Sequence, residues 1–171
     1  MSDNVYLGNP NLKKANTAIE FTQEQILEFV KCKEDPVYFA NNYIKIVSLD
    51  EGLTQFHPYH FQEKLINNFH ENRFNICKMP RQTGKSTTVV SYLLHYAVFN
   101  DSVNIGILAN KAATARELLG RLQTAYENLP KWMQQGIIAW NKGSLELENG
   151  SKILAASTSA SAVRGMSFNI L

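Results

Sequence analysis

MPRQTGKSTT, residues 79–88, decides how the rest of the chain is read. It closes in Gly84-Lys85-Ser86, the end of a phosphate-binding loop, but Met79 stands where the opening glycine normally falls, and Arg81 sits inside the loop where small residues are usual. A triphosphate needs several backbone N–H donors converging on its oxygens at a helix N-terminus, whose dipole favours negative charge. It also needs one long cation on the β/γ oxygens and one small hydroxyl on the Mg²⁺ side. Lys85 and Ser86 are those residue types, and Gly84 lets the backbone come close without a Cβ. Pro80 can set the dihedral that the absent glycine leaves open.

The flanking residues supply the context that the motif demands. FNICKM, 74–79, is a short apolar run that predicts a strand, and 85–99 carries Val89, Val90, Leu93, Leu94 and Ala97 at helical spacing. Strand, loop, helix makes Pro80, Arg81, Gln82, Thr83, Gly84, Lys85, Ser86 and Thr87 a nucleotide-binding segment rather than a surface turn with an incidental Lys-Ser pair. Arg81 then becomes a guanidinium within reach of the γ-phosphate, an arginine finger supplied in cis; the competing reading is a solvated arginine facing away.

Outward from the loop the alternation continues. VNIGILA, 103–109, predicts a buried strand and 111–128 a long helix stopped by Pro130. SLELENGSKILAAS alternates on either side of Asn149-Gly150, a strong hairpin signal, and FNIL, 168–171, opens another apolar strand. Upstream, 59–71 is a helix with Phe61, Leu65, Ile66 and Phe69 on one side, and 51–58 reads as a loop. Asp35-Pro36 opens a helix over 36–43, and Thr22 to Gln25 forms a capping box for a helix to about Lys33. Residues 1–20 read as a mobile arm. The expected architecture is α/β: a parallel sheet with flanking helices and a β-hairpin insertion, residues 1–50 forming an arm with short helices and 51–171 a partial nucleotide-binding domain.

Composition narrows the class. The 171 residues are 44% hydrophobic and 19% charged with a net charge of +2, so bulk electrostatics gives no case for nucleic acid. No apolar run approaches the roughly 18 to 20 residues of a membrane span, and the N-terminus lacks signal-peptide order. Cys32 and Cys77 read as two buried thiols in a reducing, intracellular compartment. His57 and His60 have H-x-x-H spacing without a cysteine or carboxylate to complete a zinc site. Tyr59 and Phe61 suit either stacking on a base or core packing.

Several colinear stretches carry a family resemblance. MPRQTGKST, preceded by FHPYHFQEKLI and followed by VNIGILANKAATARELLGRLQTAYENLP, resembles the ATPase domain of the large terminase subunit, the DNA-packaging motor of tailed bacteriophages, T-even-like type. The likeness continues through IIAWNKGSLELENGSKILAASTSASAVRGMSF and reaches back to PNLKKANTAIEFTQEQILEFVKCKEDPVYFA. It implies a P-loop NTPase fold of ASCE/RecA-like type, ATP and Mg²⁺ as cofactors, Arg81 and Lys85 in catalysis, and Ser86 on the metal side. Gln62 matches the glutamine that reads the adenine edge, and Arg164, in the VRG segment, matches a residue coupling ATP state to neighbouring elements. It further implies double-stranded DNA, a portal and procapsid, a small terminase subunit and ring self-assembly as partners, in the host cytoplasm at the portal vertex. Counted from the VRG segment, the family's Walker B carboxylates are expected just beyond Leu171, so ATP hydrolysis belongs to the complete protein and stays open for these residues alone. Two other readings stand beside this one: a fragment of a superfamily-2-like helicase or translocase, and a non-catalytic nucleotide-binding module.

Overall fold

The computed structural model describes residues 4–48, 50–158 and 165–171. In chain order the elements are β1 (Val5–Tyr6), β2 (Asn9–Lys13), α1 (Gln23–Glu34), α2 (Pro36–Tyr43), β3 (Lys45–Ser48), β4 (Gly52–Gln55), α3 (His60–Glu71), α4 (Lys85–Phe99), β5 (Asn104–Ala109), α5 (Ala112–Glu127), β6 (Ile137–Trp140), β7 (Ser144–Leu147) and β8 (Lys152–Ser157). The helices begin where local chemistry places them. Thr22 Oγ1 accepts from Gln25 N at 3.2 Å while Gln25 Oε1 accepts from Thr22 N at 3.0 Å, and Asp35 Oδ1 accepts from Tyr38 N at 2.8 Å ahead of Pro36.

The principal sheet has the order β5-β8-β7-β6 and is mixed rather than parallel. Parallel pairing joins β5 to β8, and a parallel bridge from Ile105 to Ile170 sets residues 168–171 along β5 as well, with Gly106 N donating to Ile170 O at 2.8 Å. The β6–β7 and β7–β8 pairs are antiparallel, because short turns return the chain directly whereas parallel neighbours need a long crossover. The expected strand 74–79 does not form. Phe74 and Ile76 are 84% and 100% exposed, and among the described residues no strand lies beside them to complete a ladder. Cys77 in this run is exposed, contrary to its reading as a buried thiol, whereas Cys32 is buried and its thiol is pushed up to about 12, chiefly by that burial.

The segment read as a mobile arm is instead a hairpin tied to the far end of the sheet. Lys14 bridges in parallel to Ile137, Leu12 is buried, and the buried Gln134 amide accepts from Lys13 N and donates to Asn11 O, both at 3.0 Å. Glu148 closes this contact through Lys13 Nζ at 2.9 Å, Gly136 N at 2.7 Å and Asn16 N at 2.8 Å. Burial alone would raise the Glu148 carboxyl, yet those donors hold it below its ordinary value. Likewise the expected loop 51–58 contributes β4, paired with β3.

Helix α4 is the centre of the molecule. Val90, Leu93, Leu94, Ala97, Val98 and Phe99 are buried, so it is apolar on more than one face and packs on α2, α3 and α5. Its last turn leaves carbonyls that no helical N–H can reach. Side chains from the connections around the sheet satisfy them, two in the turn between β7 and β8 and one just before β6: Asn149 Nδ2 donates to Ala97 O at 2.9 Å and Asn100 O at 3.1 Å, Ser151 Oγ to Asn100 O at 2.8 Å, and Gln135 Nε2 to Val98 O at 3.1 Å. Gly150, at φ 82°, lets the turn pass Ser102, whose Oγ would lie 2.9 Å from a Cβ there.

Asn149→Ala removes two of these donors from a half-buried site and is expected to cost about 1–3 kcal/mol in urea unfolding. His95, 2% exposed on α4, provides a pH test: its Nε2 lies 2.9 Å from Cys32 O, and burial pushes it down from 6.5 to about 4. A base with a depressed folded-state pKa leaves the unfolded chain to take up the proton first. Its contribution is whole above pH 6.5 and is lost as the pH falls towards about 4. Stability is expected to decline by about 3 kcal/mol over that window, and His95→Leu to flatten the decline in pH-resolved urea melts.

Candidate nucleotide-binding site

The loop before α4 is built from two left-handed positions, Gln82 at φ 62° and Gly84 at φ 72°. Thr83 Oγ1 donates to Pro80 O at 3.0 Å across this turn. Gly84 is the N-cap of α4; Thr88 N donates to its carbonyl at 3.0 Å and Thr88 Oγ1 at 3.1 Å, which anchors the first turn from within the core. No side chain caps this helix end, so the N–H groups of Lys85, Ser86 and Thr87 keep the positive end of a 15-residue helix available to an anion.

Lys85 Nζ folds back over the loop and donates to Met79 O at 3.0 Å and to Pro80 O. Ser86 and Arg81 are exposed, and Arg81 makes no ion pair with a described residue. The donor set fits phosphate: backbone N–H groups, an ammonium, a guanidinium and a hydroxyl gathered within one turn and one loop. Among the described residues no cluster of three or more His, Cys, Asp or Glu could hold a metal by itself. A divalent cation here would be held by the Ser86 hydroxyl together with phosphate oxygens.

Gln62, on the neighbouring α3, is only 3% exposed. Its Oε1 accepts from Tyr59 N at 2.8 Å and its Nε2 donates to Thr83 O at 3.1 Å. A Cβ at Gly84 would sit 2.4 Å from that nitrogen. Nothing in the sequence signals this contact, which joins residues 21 apart through a loop of no regular structure. Tyr59 and Phe61 are not core residues: they are 70% and 44% exposed, and their rings stack at 5.8 Å and 12°.

Glu117, Glu127, Glu146 and Glu148, carboxylates of the segment that follows the loop, each hold a partner outside it. They pair with Arg121 at 2.6 Å, Asn9 at 3.1 Å, Lys152 at 2.9 Å and Lys13 at 2.9 Å respectively. Arg164 lies outside the described residues.

A mixed α/β domain in which a glycine turn feeds a buried helix is the class these features define. Residues 76–171, more than half of the chain, match the family of terminase large subunits, T4likevirus-type, N-terminal, and the chain belongs to that family. The crystal structure of the HK97 bacteriophage large terminase has a similar fold, with a TM-score of 0.63 and 18% sequence identity. The match covers 80% of this chain and 29% of that one, so the chain spans less than a third of that terminase.

Gly84→Ala places a methyl group against the Gln62 amide and forces a left-handed φ on a residue that disfavours it. It is expected to cost about 1–3 kcal/mol in denaturant titrations and to shift the backbone amide resonances of residues 82–86.

Proposed function

We propose that these residues form the ATP-binding front part of a motor that packages double-stranded DNA into a capsid. The observation that carries this reading is the start of α4, with no side-chain cap, opened by Gly84 in a left-handed conformation and overlaid by the Lys85 ammonium. The backbone N–H groups from Gly84 to Thr87 would hold phosphate oxygens, and the Ser86 hydroxyl the Mg²⁺ side. Lys85 donates to the Met79 and Pro80 carbonyls in the free chain and would exchange those neutral partners for charged ones, a stronger type of hydrogen bond. Arg81, exposed and unpaired among the described residues, would act in cis on the γ-phosphate. When bound, ATP supplies the phosphoanhydride whose hydrolysis powers movement.

The exposed Tyr59–Phe61 pair, just before Gln62 in the chain, offers an aromatic face for the base. Family membership supports the rest of the assembly: a portal and procapsid, a small terminase subunit and a ring of copies, working in the host cytoplasm at the portal vertex. A second reading, nucleotide binding without turnover by these residues alone, is favoured by the four glutamates, each of which is engaged elsewhere.

Lys85→Ala is expected to weaken ATP binding by roughly 10- to 100-fold in isothermal titration, the loss of a charge-assisted contact. Phosphate release at saturating ATP, with and without double-stranded DNA, separates an enzyme from a binding module. Unchanged ATP affinity in Lys85→Ala would sink the assignment of the loop.

A further inference from the structure

Asn149-Gly150 is the chain's one Asn-Gly pair, and the fold demands each residue for a separate reason. Asparagine supplies the two donations to Ala97 O and Asn100 O that close the end of α4. Glycine is required because its φ is 82° and a Cβ there would lie 2.9 Å from Ser102 Oγ. Together they make a chemically unstable pair. Asparagine is thermolabile because the backbone nitrogen that follows can attack its carboxamide, and a following glycine hinders that attack least.

The folded chain holds both reactants still. The nucleophile, Gly150 N, donates to Leu147 O at 3.0 Å. The electrophile is pinned at both ends: besides the two donations from Nδ2, its Oδ1 accepts from Ser151 N at 3.1 Å. The Asn149 carbonyl accepts from Ser102 N at 2.9 Å, and the fully buried Ser151 donates to Asn100 O at 2.8 Å beside it. Turning Cγ towards Gly150 N breaks these bonds, so reaction requires the cap to open first. Once it is open, Gly150 N gives its proton to water and bonds to Asn149 Cγ. The Cγ–Nδ2 bond breaks, and the nitrogen leaves as ammonia with a proton taken back from water. Water then opens the cyclic imide at either carbonyl, leaving aspartate or isoaspartate. Water is the only co-reactant, and nothing is oxidised or reduced. At neutral pH the acid is an acceptor only, so it meets the Ala97 and Asn100 carbonyls with repulsion in place of two hydrogen bonds.

We propose that Asn149 is a self-modifying site gated by the C-terminal cap of α4: each opening of the β7–β8 turn exposes it to attack by Gly150, and the acid formed cannot close the cap again. Local opening thereby becomes irreversible. The site lies at the opposite end of α4 from Lys85 and is independent of the nucleotide reading.

The test follows the peptide that contains Asn149 by mass spectrometry while the chain ages at mildly alkaline pH, in urea from zero to beyond its unfolding midpoint. Deamidation is expected to be at least about tenfold slower in the folded chain than in the unfolded one. It is also expected to rise with urea well below the midpoint, with a slope shallower than that of global unfolding. Ser151→Ala removes a neighbouring bond to the Asn100 carbonyl. It is expected to speed the reaction about fivefold in the folded chain and to leave the unfolded rate unchanged. Asn149→Asp, the aspartate product, is expected to have a lower urea midpoint than the unsubstituted chain. Equal rates in the folded and unfolded chains would overturn the proposal, because the cap would then give no protection. A urea slope equal to that of global unfolding would overturn it too, by making whole-chain unfolding the gate. So would an unchanged midpoint in Asn149→Asp, since the acid would then close the cap. Should Ser151→Ala fail to fold, the urea series on the unsubstituted chain decides by itself.

Discussion

The structure depends on how the two ends of one buried helix are satisfied. Helix α4 is enclosed along most of its length, and enclosure makes every unpaired backbone group costly. Its C-terminal carbonyls receive Asn149, Ser151 and Gln135, so that end is closed by the β7–β8 turn and the segment before β6. Its N-terminus emerges into the Arg81–Gly84 turn without a side-chain cap. The asymmetry concentrates unmet donors at one place, the place where Lys85 and Ser86 stand. An N-terminus whose backbone donors remain available to an anion thus follows from closing one end of a helix and leaving the other open.

The same economy ties distant parts of the chain together. Glu148 sits at the end of β7 and takes Lys13, Asn16 and Gly136 on one carboxylate, joining the first hairpin to the far edge of the sheet. Glu28 does likewise within the helical layer, accepting from Tyr38 at 2.9 Å and Tyr43 at 2.8 Å to hold α1 on α2. Burial and that carboxylate push the Tyr43 hydroxyl up, so it stays a donor. Removing one member of such a group leaves the others unpaired, which is why hubs of this kind cost more to break than any single bond in them.

The loop itself is short on glycine, yet two residues in it adopt left-handed dihedrals. Gln82 accepts that conformation without the freedom of glycine, a local cost that its surroundings must hold in place. Thr83 bonds back to Pro80, Lys85 spans Met79 and Pro80, and Gln62 grips Thr83 from α3. Contacts from within and outside the loop thus take the place of the missing first glycine.

Much of this was legible in the sequence because much of it is local. The capping box at Thr22, the Asp35-Pro36 helix start, the Asn149-Gly150 turn and the glycine turn that opens α4 at Gly84 are signals spanning a few positions, and they appear where the sequence places them. The terminase resemblance was also carried by contiguous stretches. What tertiary structure decided are matters of partnership. Whether FNICKM is a strand depends on a neighbour, not on its own apolar residues, and among the described residues none is beside it. Whether residues 5–13 are an arm or a hairpin depends on Gln134 and Glu148, more than a hundred residues away. The sheet is mixed because hairpin turns, not crossovers, join β6, β7 and β8. The Gln62 amide bonds the N-cap N–H of its own helix, as a glutamine at that helical position can, but its second bond, to the Thr83 carbonyl, joins it to a backbone group that bears no side-chain identity and that only the tertiary structure brings near.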